Sequence, residues 1–208
     1  MKNKIKILNE KLNFFPNDEI IEKLELWEKI FVEYNSHTNL MSKGDVEVLF
    51  EKHVFDSLAI LNWDKFLNYK KILDVGCGGG FPSVILAICF PEIKIIANDS
   101  RIKKINFIKE AKEKLNLDNL EVCYSRIEDV APLNVDLIVS RAVGKMIDVY
   151  ELSKKHLNNN GDFLIYKSKL SDEEIKEFKK KYKKAEFNII PYELPLEENF
   201  SRNLIILI

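Results

Sequence analysis

Four of the chain's seven glycines fall within five residues, Gly76, Gly78, Gly79 and Gly80. They follow the apolar run KILDV (71–75) and precede the apolar stretch PSVILAICF (82–90). An apolar run, a glycine turn and a helix start open a βαβ unit, because glycine accepts left-handed backbone and leaves no Cβ in a tight turn. The same rhythm then repeats. KIIAND (94–99), LEVCY (120–124), DLIVS (136–140), DFLIY (162–166), AEFNII (185–190) and NLIILI (203–208) read as six further strands. Between them lie helix patterns, one carrying Ile102, Ile105, Phe107, Ile108 and Leu115, and one over 172–184 opened by a Ser171–Glu174 capping box. Asn159-Asn160-Gly161 is expected to end a helix before the fifth strand. The pattern predicts an α/β fold with a doubly wound, mostly parallel seven-stranded sheet of Rossmann-like type and a ligand beyond the strands' C-terminal ends.

The residues before this series read as helical. Pro16-Asn17-Asp18 offers a helix start, and Ile20, Leu24, Trp27, Phe31 and Tyr34 follow at helical spacing. After a polar break from Asn35 to Ser42, a second helix is expected from Gly44-Asp45 with Leu49, His53, Asp56 and Ile60 on one face. The division expected is a helical cap over 1–65 and a ligand-binding domain over 66–208.

Composition narrows the function classes. A net charge of −1, from 32 basic and 33 acidic residues, argues against gripping nucleic acid by bulk charge. No apolar run reaches the roughly 18–20 residues of a membrane span, and the start lacks the apolar core of a secretory signal. Cys77, Cys89 and Cys123 include no C-x-x-C pair, and His37, His53 and His156 lie far apart. Neither a disulfide framework nor a metal centre is expected. The expectation is a soluble cytoplasmic monomer.

Which ligand does the glycine turn hold? Asp99 ends the second strand, 23 residues beyond Gly76, where a carboxylate can accept both ribose hydroxyls of an adenosine-containing molecule. Position 81 is Phe81, where a dinucleotide fingerprint needs glycine, and no G-K-[ST] phosphate loop occurs. G-x-G-x-G with an acid at the second strand's end resembles the usual pattern of S-adenosylmethionine-dependent methyltransferases. A nicotinamide-dependent oxidoreductase and an adenosine-binding module remain as alternatives. The loop Ser125 to Asp129 is expected along the adenine, with Ile127 on a ring face and Glu128 at the amino edge; Ser100 adjoins Asp99. No N/D-P-P-[YFW] and no Pro-Cys pair occurs. An acceptor needing little activation, such as guanine N7, is compatible with that; another RNA or a small molecule stays open.

The chain also carries a set of linked motifs. They are Asn39-Leu40-Met41-Ser42, His53-x-x-Asp56-Ser57-Leu58, Leu73-Asp74-Val75-Gly76-x-Gly78-x-Gly80-Phe81-Pro82 and Asp99-Ser100-x-x-Lys103-Lys104-x-x-Phe107. Ser125-Arg126-Ile127-Glu128, Ser140-Arg141-Ala142 and Tyr166-Lys167 follow in order. Together they resemble the bacterial small-subunit ribosomal RNA methyltransferase G family, also called the glucose-inhibited division protein B family, from about residue 10 onward. The resemblance implies a class I methyltransferase fold and N7 methylation of one guanine of 16S rRNA, free or within the small ribosomal subunit, with S-adenosylmethionine as donor. It implies cofactor contacts at Gly76, Phe81, Asp99, Ile127, Glu128 and Arg141, to which the residue pattern adds Gly78, Gly80 and Ser100. Ser83 stands where the family usually has glycine, and a second proline is missing from Val84-Ile85-Leu86, which bears on cofactor affinity.

Arg141 is the catalytic candidate, either holding the donor's carboxylate or orienting guanine; the alternative is an arginine that ties neighbouring loops. With 4 Arg against 28 Lys, an arginine there suggests a geometric role. His53 and Asp56 share a helix face and could order the cap, touch RNA or form a buried pair. Lys167 and Arg202 are candidates for RNA phosphate. Six lysines in 176–184 form either a solvated face over Ile175, Phe178 and Tyr182 or an RNA footprint.

Overall fold

A computed structural model describes residues 1–141, 144–168, 172–195 and 201–207. The capping-box residue Ser171 and Ala142 of the Ser-Arg-Ala motif lie outside them. Seven strands form one sheet: β1 (Lys71–Val75), β2 (Lys94–Asp99), β3 (Leu120–Tyr124), β4 (Val135–Arg141), β5 (Leu157–Lys167), β6 (Phe187–Glu193) and β7 (Ser201–Leu207). Their order is β3-β2-β1-β4-β5-β7-β6, with β7 antiparallel to β5 and β6 and every other pair parallel. The order reverses between β1 and β4, so a crevice opens beyond their C-terminal ends.

Alternation along each strand divides the core. Ile72, Ile95, Leu137 and Leu164 face one layer, while Leu73, Ile96, Ile138 and Phe163 face the other. The first layer holds α5 (Ser83–Cys89) and α6 (Ile102–Leu115), the second α7 (Met146–Ser153) and α8 (Asp172–Lys181). Helices on both faces explain why the strands read as continuous apolar runs.

The N-terminal segment adds α1 (Lys2–Leu12), α2 (Asp18–Thr38), α3 (Lys43–Glu47) and α4 (Phe55–Leu58) over the first layer. Asn17 caps α2 by accepting from the Ile20 N–H, and Asn39 ends it in left-handed conformation. Trp27 and Phe31 of α2 are buried against Phe81 and Phe107, with ring centroids 5.2–5.5 Å apart. Burying each of those rings is worth roughly 2–3 kcal/mol. One apolar cluster runs from Leu8 through Trp27 to the sheet.

Three expectations are corrected. The second N-terminal helix is not continuous: between α3 and α4, Leu49–Val54 makes a π turn in which Phe55 N–H donates to the Phe50 carbonyl, and Ala59–Asn62 closes as a 3-10 turn. Asn159-Asn160-Gly161 does not stop a helix but lies within β5. The register there jumps from Val135↔Leu157 to Leu137↔Asp162, so the extra residues bulge out of the ladder. α8 ends at Lys181, three residues short of the expected boundary.

Candidate active site

The glycine turn is held from below by Asn98 of β2. Its carbonyl accepts from both the Gly76 and Cys77 N–H groups at 2.9 Å. Its side-chain amide donates to the Cys123 and Ser125 carbonyls at 3.1 and 2.9 Å, fixing the loop after β3. Asn98 was not among the candidates; a polar side chain inside an apolar strand was the available signal. Within the turn Gly78 and Gly80 adopt φ of +56° and +86°. A Cβ on Gly80 would stand 2.5 Å from Val84 Cγ2, so only glycine fits where the turn meets α5. Cys77 is buried, and burial pushes its thiol well above the ordinary range, as suits a small residue in a tight turn.

Asp99 closes the other side. Its Oδ2 accepts from Gly78 N–H at 3.1 Å and its Oδ1 from Arg101 N–H at 2.8 Å. Burial opposes its charge, but the Arg101 side chain and the two backbone donors outweigh that and hold the carboxyl below its usual range. Between the turn, Asp99 and the loop after β3 lies a cleft of about 480 Å³, bordered by Gly76, Asp99, Ser100, Ile127 and Glu128. The cleft thus gathers five of the expected cofactor residues. The loop is braced from behind: His156 Nε2 donates to the Ile127 carbonyl at 3.0 Å and Lys155 Nζ to that of Glu128 at 2.6 Å.

Two expected cofactor residues face elsewhere. Phe81 turns its ring into the cap, edge-on to Trp27 at 5.5 Å and 5.3 Å from the His53 ring. Arg141 lies over that ring, its guanidinium carbon 4.8 Å from the centroid. At the end of β4, Arg141 donates from Nη1 to Asp56 Oδ2 at 2.9 Å, and Nη2 meets His53 Nδ1 at 3.2 Å. His53 Nδ1 is therefore the acceptor and Nε2 carries the proton. Burial, followed by the Arg141 charge, lowers the His53 pKa to about 4, so it is neutral at pH 7.

Asp56, for which the sequence leaves ordering the cap, touching RNA and forming a buried pair all open, is only 2% exposed. Besides Arg141 it accepts from the Tyr192 hydroxyl of β6, and Arg202 Nε stands 3.8 Å away. Helix α4, β4, β6 and β7 thus converge on one buried carboxylate. Tyr166 adds a further tie, donating to the Ser57 carbonyl at 3.0 Å. Tyr192 carried no sequence signal, because its partner lies 136 residues away. Lys167 is at the same rim, within 2.8 Å of Glu174 and 3.2 Å of the Gly144 carbonyl. The lysine run lies apart: α8 begins beside Lys145 and Lys167 and carries its lysines away from that rim, where Lys181 pairs with Glu151.

The family model described as rRNA small subunit methyltransferase G matches residues 20–204. The ribosomal RNA small subunit methyltransferase G of Mesoplasma florum is 40% identical over 182 residues, 86% of this chain and 76% of that protein. The chain belongs to the rRNA small subunit methyltransferase G family. The Bacillus subtilis member is 33% identical over 196 residues, 90% of this chain and 81% of its own. A ribosomal protein L11 methylase from Lactobacillus delbrueckii subsp. bulgaricus shares the fold, with TM-score 0.54, 17% identity and coverage of 71% of this chain and 75% of that one. The chain is thus a methyltransferase with the expected class I, Rossmann-like architecture, and the donor of such enzymes is S-adenosylmethionine. The site fits that donor. Gly80 has no room for a Cβ, Asp99 offers a carboxylate for a ribose diol, and Ile127 offers an apolar face for an adenine.

Proposed function

We propose that the chain transfers a methyl group from S-adenosylmethionine to N7 of one guanine in 16S rRNA, free or within the small ribosomal subunit, as a cytoplasmic monomer. The observation that carries this reading is the Arg141 cluster. A permanently charged guanidinium is fixed by Asp56, His53 and Phe81 at the end of β4, and it engages two groups there that could accept a proton. A reaction that removes a proton would be poorly served there. Guanine N7 has a free lone pair and no proton, so alignment supplies most of the catalysis.

Bound S-adenosylmethionine supplies an electrophilic methyl group. The backbone of Gly76, Gly78 and Gly80 beds the donor, Asp99 and Ser100 take its ribose, and Ile127 and Glu128 take its adenine. Arg141 is the catalytic residue and offers charge-assisted donors to the guanine or to the donor's carboxylate. His53, Asp56 and Phe81 position Arg141; Lys167 and Arg202 neutralise RNA phosphate at the rim. The cap over 1–65 is the part that carries His53 and Asp56, and the domain over 66–208 is the part that binds donor. No helix among the described residues is long and apolar enough to cross a membrane.

Incorporation of labelled methyl into small-subunit rRNA by the purified protein tests this. Arg141→Ala is expected to lose at least about a hundredfold in rate, with its circular dichroism spectrum retained. Near-normal turnover would overturn the catalytic assignment.

A further inference from the structure

Asp99 is surrounded by donors. Two are backbone N–H groups, from Gly78 and Arg101. Two more come from the Arg101 side chain, Nε to Oδ1 at 3.1 Å and Nη2 to Oδ2 at 3.0 Å. Each carboxylate oxygen has about two acceptor sites. One backbone donor and one guanidinium donor on each oxygen therefore fill the carboxylate. The Asp99 side chain is 3% exposed and that of Arg101 65% exposed, so the guanidinium covers the carboxylate from the solvent side. Both residues border the 480 Å³ cleft. A ribose diol entering that cleft needs the acceptor sites that the guanidinium holds.

We propose that Arg101 is a latch on the ribose site: the donor's ribose must displace its guanidinium from Asp99, and the freed cation then serves rRNA binding. The inference rests on the reading of Asp99 as the ribose acceptor. The backbone N–H bonds to Asp99 remain when the side chain leaves, so the carboxylate stays oriented. An arginine as exposed as this one forms a weak pair, and displacing it lowers donor affinity by about threefold to tenfold. The released arginine has a suitable setting. Arg126, 72% exposed at its side chain, borders the same cleft. On its other side Arg101 shares a second cleft, about 430 Å³, with Lys103 and the exposed ring of Tyr124. A guanidinium paired with Asp99 is neutralised; released, it adds one positive charge to a surface that carries Lys103, Lys104, Arg126 (3.8 Å from Glu128) and an aromatic face. Donor and rRNA should therefore bind with positive coupling, each favouring the other.

The test is calorimetry with S-adenosylhomocysteine on the wild-type chain, Arg101→Met and Asp99→Asn, together with filter binding of small-subunit rRNA with and without saturating S-adenosylhomocysteine. Arg101→Met is expected to bind S-adenosylhomocysteine about threefold to tenfold more tightly than wild type, whereas Asp99→Asn binds at least tenfold more weakly. Wild-type affinity for rRNA should rise on adding S-adenosylhomocysteine, and Arg101→Met should show no such rise. Equal or weaker binding by Arg101→Met, with Asp99→Asn impaired, overturns the latch and leaves the ribose site standing. Normal binding by Asp99→Asn overturns both. A tighter Arg101→Met that keeps the wild-type rise with rRNA overturns the coupling.

Discussion

Donors converge on the buried carboxylate of Asp56 from segments distant in sequence: Arg141 of β4, Tyr192 of β6 and, 3.8 Å away, Arg202 of β7. Removing one partner of such a pair exposes the cost of the buried charge left behind. A second buried carboxyl, Asp74 of β1, accepts from the Ser83 N–H at 3.1 Å, and burial pushes its pKa up to about 7. The folded chain holds a proton on Asp74 that the unfolded chain releases near the ordinary carboxyl value of 3.8. That contribution to stability is present below about pH 4 and is lost as pH rises to about 7. His53 acts in the opposite sense. Its folded pKa is about 4 against 6.5 unfolded, so its contribution is present above pH 6.5 and is lost as pH falls. The two trends oppose each other in the wild type between about pH 4 and 6.5. Asp74→Asn removes the opposing trend and leaves those of groups with lowered pKa, His53 and His156 among them, so guanidinium unfolding should show stability rising more steeply with pH than in wild type; parallel curves would contradict a raised Asp74. At this scale the sequence was half legible. Asp99 and Ile127 could be placed because each ends or follows a recognisable strand. The inward turn of Phe81 and the partners of Asp56 depend on packing between segments 28 to 146 residues apart in sequence.

Among the elements, the turn 76–80 carries the tightest steric demand. Gly80→Ala meets Val84 Cγ2 at 2.5 Å and also places a side chain at φ +86°. It should cost about 2 kcal/mol or more and weaken S-adenosylhomocysteine binding. Gly80→Ala with Val84→Ala removes the 2.5 Å contact but leaves Val84 Cβ and Ile108 Cδ1 at 3.0 Å and the backbone strain, so thermal melts should show only partial recovery. Full recovery would make the demand purely steric. β1, β2 and β3 end where their apolar runs end, which made their boundaries readable. β5 begins five residues earlier than its apolar run, because Leu157 pairs with Val135 and the bulge carries the asparagines outward. Gly161 then passes close to its neighbours: a Cβ there would stand 3.1 Å from the Val135 carbonyl. The π turn at Leu49–Val54 was equally hidden, since it shows in the hydrogen-bond step and not in the apolar pattern. Some motif residues of the family prove to hold elements together. Lys104 donates to the Leu40 carbonyl at 2.6 Å, and Asn35 brackets Met41 through N–H and carbonyl, pinning the loop Asn39–Ser42 over α6.

For the whole molecule, a net charge of −1 means that RNA must be met by a local surface. The C-terminal rim carries Arg101, Arg126, Lys167 and Arg202 around the cleft and the Arg141 cluster, while the lysines of α8 run away from it. Replacing Lys179, Lys180, Lys183 and Lys184 with Glu should therefore weaken small-subunit rRNA binding by less than about threefold at fixed salt; a tenfold loss would put RNA on α8. The seven-stranded architecture was legible because both faces of the sheet are covered, which writes each strand as an apolar run. The joining of cap and sheet was not, because it is made by single polar residues whose partners lie far along the chain. The central claim is that this chain methylates N7 of one 16S rRNA guanine, and mass spectrometric mapping of 16S rRNA from cells with and without the gene tests it most directly. One N7-methylguanine should vanish with the gene and return with the wild-type copy but not with Arg141→Ala; full N7 methylation in the absence of the gene would contradict the account.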